Sequence, residues 1–149
     1  MSKIIEITIG LATSFNNPFE SFSNFKPSVQ LKAIVADGED PNRVAIDLQA
    51  KVGDLLATER HRILDGLKRE HEIENAKRNV DWKKERVDAL ERVISENPVK
   101  LADAEWRSTA TQFAVERMEN QLKNASDELP GVRAELAEAE TKLAGLIGM

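Results

Sequence analysis

A seven-residue repeat of apolar positions from Leu101 to Leu146 constrains the fold more than any other feature of this chain. With Leu101 at position a, the window holds 14 a and d positions, of which 12 are apolar, against eight of the remaining 32 residues. Such a pattern places one apolar seam along a helix, and a second helix must cover that seam. The sequence therefore predicts a coiled-coil arm in the C-terminal third.

The helix that precedes this arm is the natural partner for its seam. Its apolar residues recur at close to heptad spacing: Ile73, Val80, Val87, Leu90, Val93 and Ile94. Pro98 disfavours helical backbone at Asn97 and lacks an N–H, so this helix is predicted to end there. We expect an antiparallel helical hairpin that bends near Asn97 and sets Ile94 beside Leu101, with Pro130 causing a kink or short break in the arm. Whether the seam is covered within one chain or between two chains stays open.

Two segments near the N-terminus alternate apolar and polar residues, as half-buried strands do. In residues 3–11 one side carries Ile5, Ile7, Ile9 and Leu11, and in residues 28–36 one side carries Val29, Leu31, Ala33 and Val35. We expect these segments to pair as an antiparallel hairpin. The connection between them is too long for a tight turn, so it is predicted to be a long loop.

A helix is predicted to follow the second strand at once. Asp40 has the side chain of an N-cap, and Pro41 suits the first helical position, where its missing N–H costs nothing. Apolar residues then recur every three or four positions, as on the covered face of a helix: Val44, Leu48, Val52, Leu55, Leu56, Ile63 and Leu67. The predicted fold class is α+β, mostly α, with a β-β-α module over residues 1–70 and the helical hairpin over 71–149.

Composition excludes several kinds of chemistry. The chain has no cysteine, which removes disulfides, thiolate metal sites and cysteine nucleophiles and is typical of a cytosolic protein. His71 lacks the second histidine of the helical zinc motif, and the sequence has neither a glycine-rich phosphate loop nor a nucleophile elbow. The first twelve residues alternate like a strand and not like a signal peptide. We expect a non-enzymatic protein without metal or cofactor, with no membrane contact, in the cytoplasm of a bacterial host cell.

Four of the five phenylalanines fall in the connection between the strands: Phe15, Phe19, Phe22 and Phe25. One interpretation is that they fold under the loop and close a small core. The other is that some project outward, where phenylalanine can anchor a protein partner or stack on unpaired bases. On this second interpretation Phe15, Phe19 and Phe22 are candidate partner-binding residues.

Two aromatic residues of the arm, Trp106 and Phe113, lie off the seam. Both occupy position f, seven residues apart on the outer face of the predicted helix. They either pack against the β-β-α module or another protomer, or they present a ridge to a partner. In the expected hairpin, Trp82 lies opposite Phe113. We therefore count Trp106 and Phe113 among the candidate partner-binding residues, and we expect a homo-oligomer.

The basic residues of the middle segment support an alternative partner, single-stranded nucleic acid. Lys77, Arg78, Lys83 and Lys84 could follow a phosphate backbone. Interleaved carboxylates such as Glu74 and the formal net charge of −5 weaken this interpretation, because they oppose binding to a polyanion.

The first 60 residues or so resemble small accessory proteins encoded by bacteriophages and prophages. The resemblance lies in a strand, a loop with Phe19-Glu20-Ser21, a second strand, and a helix after Asp40-Pro41. It implies a phage setting without known catalytic residues. The leading hypothesis is a binding protein that engages and inhibits a bacterial host or defence protein by occlusion. Alternatives are a single-stranded nucleic-acid-binding accessory of phage recombination or replication, and an oligomeric sponge for a nucleotide signal.

Overall fold

The structure is a computed structural model, and it describes residues 5–148. The chain divides into two compact units, Met1–His71 and Glu72–Met149, called here the N-terminal unit and the C-terminal unit. The elements in chain order are β1 (Ile5–Ala12), β2 (Phe15–Asn16), β3 (Asn24–Phe25), β4 (Ser28–Val35), α1 (Pro41–Ala102), α2 (Ala104–Thr109) and α3 (Gln112–Gly148). The predicted fold class, α+β and mostly α, is confirmed.

The predicted antiparallel hairpin is confirmed. β1 pairs with β4 in one register, from Ile5 opposite Val35 to Ala12 opposite Ser28. The predicted first strand also included Lys3 and Ile4, which lie outside the described residues.

The connection between these strands is a continuation of the same ladder, so the prediction of a long loop is wrong. Thr13 N–H donates to the carbonyl of Pro27, Phe15 pairs with Phe25, and Asn17 N–H donates to the carbonyl of Ser23. Pro27 interrupts the strand pattern in the sequence, yet its carbonyl still accepts a ladder hydrogen bond. Only residues 18–22, called here the tip, remain outside the ladder.

One face of the whole hairpin is covered, and it consists of odd-numbered residues. Val35 is buried and Thr13, Phe15, Val29 and Leu31 are half-buried, whereas the even-numbered ladder positions are exposed. This is the period-two alternation of a sheet with one face toward a core and one toward solvent.

The start of α1 is set by a turn and a cap. Gly38 adopts a positive φ of 91°, which glycine tolerates without a steric penalty. Asp40 Oδ1 accepts a hydrogen bond from Asn42 N–H at 3.0 Å, so the predicted N-cap is confirmed. Leu48 and Val52 are buried on the predicted face of α1, while Leu55, expected on that face, is 47% exposed.

Two contacts show that the hairpin lies along the first part of α1. The guanidinium carbon of Arg60 lies 5.4 Å from the centroid of the Phe15 ring. The Phe19 ring stacks on His71 with 4.4 Å between centroids. His71 lies about 16 Å beyond Arg60 along the helix, and Phe19 lies nearer the tip than Phe15. The helix and the hairpin therefore advance together in this unit.

In the C-terminal unit, α3 and the last part of α1 form an antiparallel pair within one chain. From Val115 to Leu146, every a and d position of α3 is buried or half-buried, which confirms this part of the predicted seam. The buried cluster at its centre consists of Val87, Leu90, Ala125, Leu129 and Val132. Charged pairs flank the seam on both sides, as e and g residues do in coiled coils: Arg86–Glu128, Lys84–Glu140 and Arg133–Glu91.

The predicted bend near Asn97 is wrong, because α1 continues through Pro98 to Ala102. Asn97 lies in the seam, where its side-chain amide donates to the carbonyl of Met118 at 3.3 Å. A proline inside a helix costs about 3 kcal/mol. Ile94 and Leu101, on either side of Pro98, are half-buried, and their burial contributes stabilisation that opposes this cost.

The real bend spans α2 and its flanks, so the helix predicted over 101–146 is not continuous. Asp103 caps α2 by accepting hydrogen bonds from the backbone N–H groups of Glu105 and Trp106. The side chain of Thr111 accepts from Ala114 N–H at the start of α3. The two polar members of the predicted seam, Ser108 and Thr111, both lie in this bend.

Of the break or kink predicted at Pro130, the break is absent, since α3 is one helix from Gln112 to Gly148 with Pro130 inside it. Its neighbours Leu129 and Val132 are buried, and their burial offsets the lost backbone hydrogen bond. Among the described residues, no helix is long and apolar enough to cross a membrane.

Candidate binding loop

The tip of the hairpin is a closed loop held by its own hydrogen bonds. Asn17 N–H donates to the carbonyl of Ser23 at 2.9 Å and closes the loop. Phe19 N–H donates to Asn17 Oδ1 at 2.9 Å, which makes an Asx turn. The side-chain amide of Asn17 donates to Glu20 Oε2 at 3.4 Å. Asn17 therefore organises the tip, around an open cleft of about 490 Å³ lined by residues 16–22.

Phe22 has the most unusual environment in the tip. Its φ is 66°, a left-handed conformation, and no other non-glycine residue in the described part of the chain has a positive φ. Its side chain is fully exposed, with a relative accessibility of 108%. A left-handed conformation costs a residue with a Cβ about 1–2 kcal/mol. Phe22 thus bears a conformational cost and contributes no burial to this unit.

The structure separates the four phenylalanines of the hairpin into two groups. Phe15 and Phe25 stack on each other at 5.7 Å between centroids, and both are half-buried. Phe19 is 43% exposed and stacks on His71 at an interplanar angle of 13°. These three side chains stabilise the hairpin on α1. Of the four phenylalanines, only Phe22 projects away from the hairpin.

The expectation that Trp106 and Phe113 share one helix face is wrong. Trp106 lies on α2 and Phe113 lies on α3, with the chain extended at Ala110 between them. Trp106 is half-buried and has Lys100 Nζ 5.8 Å from its ring centroid, whereas Phe113 is 74% exposed.

Trp82 does not lie opposite Phe113 either. Its neighbour Lys83 pairs with Glu135, so this stretch of α1 faces the middle of α3. Trp82 and Phe113 are therefore separate exposed rings.

Three of the four candidate cations for nucleic acid already contact carboxylates. Lys83 pairs with Glu135 and its side chain is only 13% exposed, Lys84 pairs with Glu140 at 3.3 Å, and Arg78 pairs with Glu74. Lys77 is exposed. A phosphate backbone would have to displace these carboxylates, so the geometry does not favour a nucleic-acid surface here.

The described titratable groups offer no metal cluster: no set of three or more His, Cys, Asp or Glu side chains in residues 5–148 could hold a metal ion. The side-chain hydrogen bond from Arg62 lowers the pKa of Glu59 below its ordinary value. That pair is exposed and lies three residues apart on one helix. It is therefore a surface ion pair on α1 and not part of a cleft.

Sequence reasoning did not identify Asn17, although the structure makes it the organiser of the tip. The signal was present in the dipeptide Asn17-Pro18, because Asn followed by Pro favours the start of a turn. The ring stack of Phe19 on His71 has no such signal, since it joins residues far apart in the sequence.

No protein-family model, curated protein or solved structure matches this chain.

Proposed function

We propose that this chain is a non-enzymatic binding protein that engages a bacterial protein through the tip of its hairpin, with Phe22 as the anchor. One observation carries the proposal: Phe22 is fully exposed and has a positive φ in a loop closed by hydrogen bonds. Exposed aromatic side chains on preorganised loops are typical anchors of protein interfaces.

The role of Phe22 is better explained by binding than by folding. A glycine would adopt its backbone conformation at lower cost, and the exposed phenyl ring adds nothing to the core. Strained residues that persist at exposed loop positions are often functional. A bound partner would bury this ring and gain about 1.5–3 kcal/mol from its transfer out of water.

The chemistry of the tip indicates the kind of site that would receive it. Phe22 is flanked in the sequence by Ser21 and Ser23, and the carboxylate of Glu20 accepts a hydrogen bond from the side-chain amide of Asn17. The matching surface is an apolar pocket with a polar rim. A closed tip seated in such a pocket would block it, so occlusion is the expected mode of action. The bacterial target and the phage setting rest on the resemblance of the first 60 residues or so.

The test is capture from a bacterial lysate followed by a measured affinity. The tagged parent chain is compared with Phe22→Ala, and Ile46→Ala serves as the matched control because Ile46 is also exposed, at 67%, in the same unit. We expect Phe22→Ala to weaken binding of the captured protein by about 30-fold or more, as loss of an interface anchor does. Ile46→Ala should bind like the parent chain.

Nuclease treatment of the lysate tests the nucleic-acid alternative in the same experiment. Capture that survives nuclease and depends on Phe22 supports the proposal. Capture that disappears with nuclease, or that is equal for Phe22→Ala and the parent chain, contradicts it.

A further inference from the structure

The outer edge of β1 presents its backbone groups to solvent. Thr13 and Asn17 donate their N–H groups across the hairpin, and the register contains no bulge from Ile5 to Asn16. In an antiparallel ladder the N–H and C=O of alternate residues point the same way. The backbone N–H and C=O groups of the odd-numbered residues of β1 therefore point toward β4. The backbone N–H and C=O groups of four residues point outward, away from β4: Glu6, Thr8, Gly10 and Ala12. Among the described residues, no strand lies on that side.

The two edges of this sheet are not equally protected. The edge formed by β4 carries Lys32, with Lys26 just before the strand, and lysine is a residue that discourages strand addition. Within Ile5–Ala12 the one charged residue is Glu6, so β1 carries no lysine; Glu6 and Lys32 pair with each other at 3.0 Å. An incoming strand would meet little resistance at β1.

The covered face is also incomplete on the β1 side. Ile5 and Leu11, at the two ends of the strand, are each 37% exposed although they belong to the apolar face. Val35, across the sheet from Ile5, is only 7% exposed. A two-stranded sheet is marginally stable by itself, and more apolar cover is needed along β1.

We infer that β1 pairs edge to edge with β1 of a second copy of this chain, which gives a four-stranded antiparallel sheet. The register we propose is symmetric, uses only described residues and centres on Ile9. It sets Thr8 opposite Gly10 and Glu6 opposite Ala12. The outward backbone groups of each strand then bond to those of the other, and no like charges face each other.

This register also keeps the apolar faces of both copies on one side of the sheet. Ile7 lies opposite Leu11, and a shift by one residue would turn one apolar face toward solvent. The centre lines of the two hairpins would lie about 10 Å apart at a strand spacing of 4.8 Å. That distance suits two packed helices, so the α1 segments that cover the two hairpins would contact each other.

A dimer through β1 is closed, whereas pairing of β1 with β4 of another copy would continue without end. The lysines at and just before β4, Lys32 and Lys26, oppose that second arrangement. The partner for this edge is therefore another β1. The inference does not depend on the binding role of Phe22, whose tip lies at the other end of the hairpin.

The first test removes one outward N–H on each edge. Thr8→Pro deletes an N–H that the hairpin itself does not use, and Gln30→Pro does the same on β4. Analytical ultracentrifugation of the full chain should show a dimer for the parent and for Gln30→Pro. We expect Thr8→Pro to raise the dimer dissociation constant by about tenfold or more, since hydrogen bonds and strand contacts are lost together. A parent chain that stays monomeric at 100 µM or so overturns the inference.

The second test reads the register directly, and the parent chain has no cysteine to interfere. In the proposed dimer the two Ile9 residues face each other at a non-hydrogen-bonded position, where Cα atoms lie about 4.5 Å apart. That spacing permits a disulfide. Ile9→Cys should form a covalent dimer under mild oxidation, and Leu31→Cys, its neighbour on β4, should not. Absence of a covalent dimer for Ile9→Cys contradicts this register, and equal yields for both variants contradict pairing through β1.

Discussion

The two units of this chain use their apolar residues in opposite ways. In the C-terminal unit, every a and d position of α3 from Val115 to Leu146 is buried or half-buried, and charged pairs with α1 flank both sides. In the described part of the N-terminal unit, residues 5–71, only Val35, Leu48 and Val52 are buried, and Phe22 is fully exposed. The N-terminal unit leaves its sheet edge and its tip available for contacts, whereas the apolar seam of the C-terminal unit is covered along its length.

This difference predicts separate roles for the two units. A closed antiparallel helix pair has long contiguous apolar contact, which stabilises it without a partner. A two-stranded sheet on one helix has little core and two open edges, so it gains from association. Binding and self-association are therefore expected at the hairpin, and folding stability is expected mainly from the helix pair.

The largest effect expected from this contrast is on the seam. Leu90 is 5% exposed within the central cluster, so Leu90→Ala should lower the free energy of unfolding by about 2–4 kcal/mol. Leu55→Ala is the matched control on α1 in the other unit, and it should cost less than about 1 kcal/mol because Leu55 is 47% exposed. Urea unfolding followed by far-UV circular dichroism reads the helix content of both units, and tryptophan fluorescence reads the seam alone, since Trp82 and Trp106 both belong to the C-terminal unit. Similar losses of unfolding free energy in the two variants would contradict the contrast between the two units.

A smaller effect is expected at the tip, and there the substitution should stabilise the protein. Phe22→Gly should stabilise the closed loop by about 0.5–1 kcal/mol, because glycine adopts a φ of 66° without a Cβ clash. Phe22→Ala keeps the Cβ and serves as the control. Amide exchange of the Asn17 N–H, which closes the tip, should slow in Phe22→Gly relative to Phe22→Ala. Faster exchange in the glycine variant would show that the phenyl ring stabilises the loop.

The smallest effect is expected from the flanking ion pairs. Arg86 donates to both carboxylate oxygens of Glu128 at 2.7 Å, but the two side chains are 44% and 42% exposed. A double-mutant cycle with Arg86→Ala and Glu128→Ala should give a coupling of about 0.5 kcal/mol that falls in 1 M salt. A coupling above about 2 kcal/mol would mean that these pairs, and not the apolar seam, hold the two helices together.

The elements were predictable from the sequence where one local pattern decided the structure. Alternation identified β1 and β4, Asp40 identified the start of α1, and the heptads identified the covered face of α3. The bend was predicted too early in the chain because proline usually ends a helix, whereas here the apolar seam continues past Pro98. The polar seam positions Ser108 and Thr111, with Asp103 before them, were the better signal for a bend.

The candidate site was predictable only as a group of residues. The sequence identified four phenylalanines in the hairpin connection but could not separate Phe22 from Phe15, Phe19 and Phe25. That separation depends on the ladder register across Pro27, which places odd-numbered residues on the covered face. It depends also on the positive φ of Phe22, which phenylalanine rarely adopts and no sequence pattern indicates.

The most direct test of the contrast between the two units is to locate binding on one of them. The parent chain, Phe22→Gly and Phe113→Ala are compared for capture of the same bacterial protein, because Phe113 is also a largely exposed ring, at 74%, but lies in the C-terminal unit. Loss of capture with Phe22→Gly and normal capture with Phe113→Ala is the expected result. Normal capture with Phe22→Gly and loss with Phe113→Ala would place binding on the C-terminal unit and contradict the account.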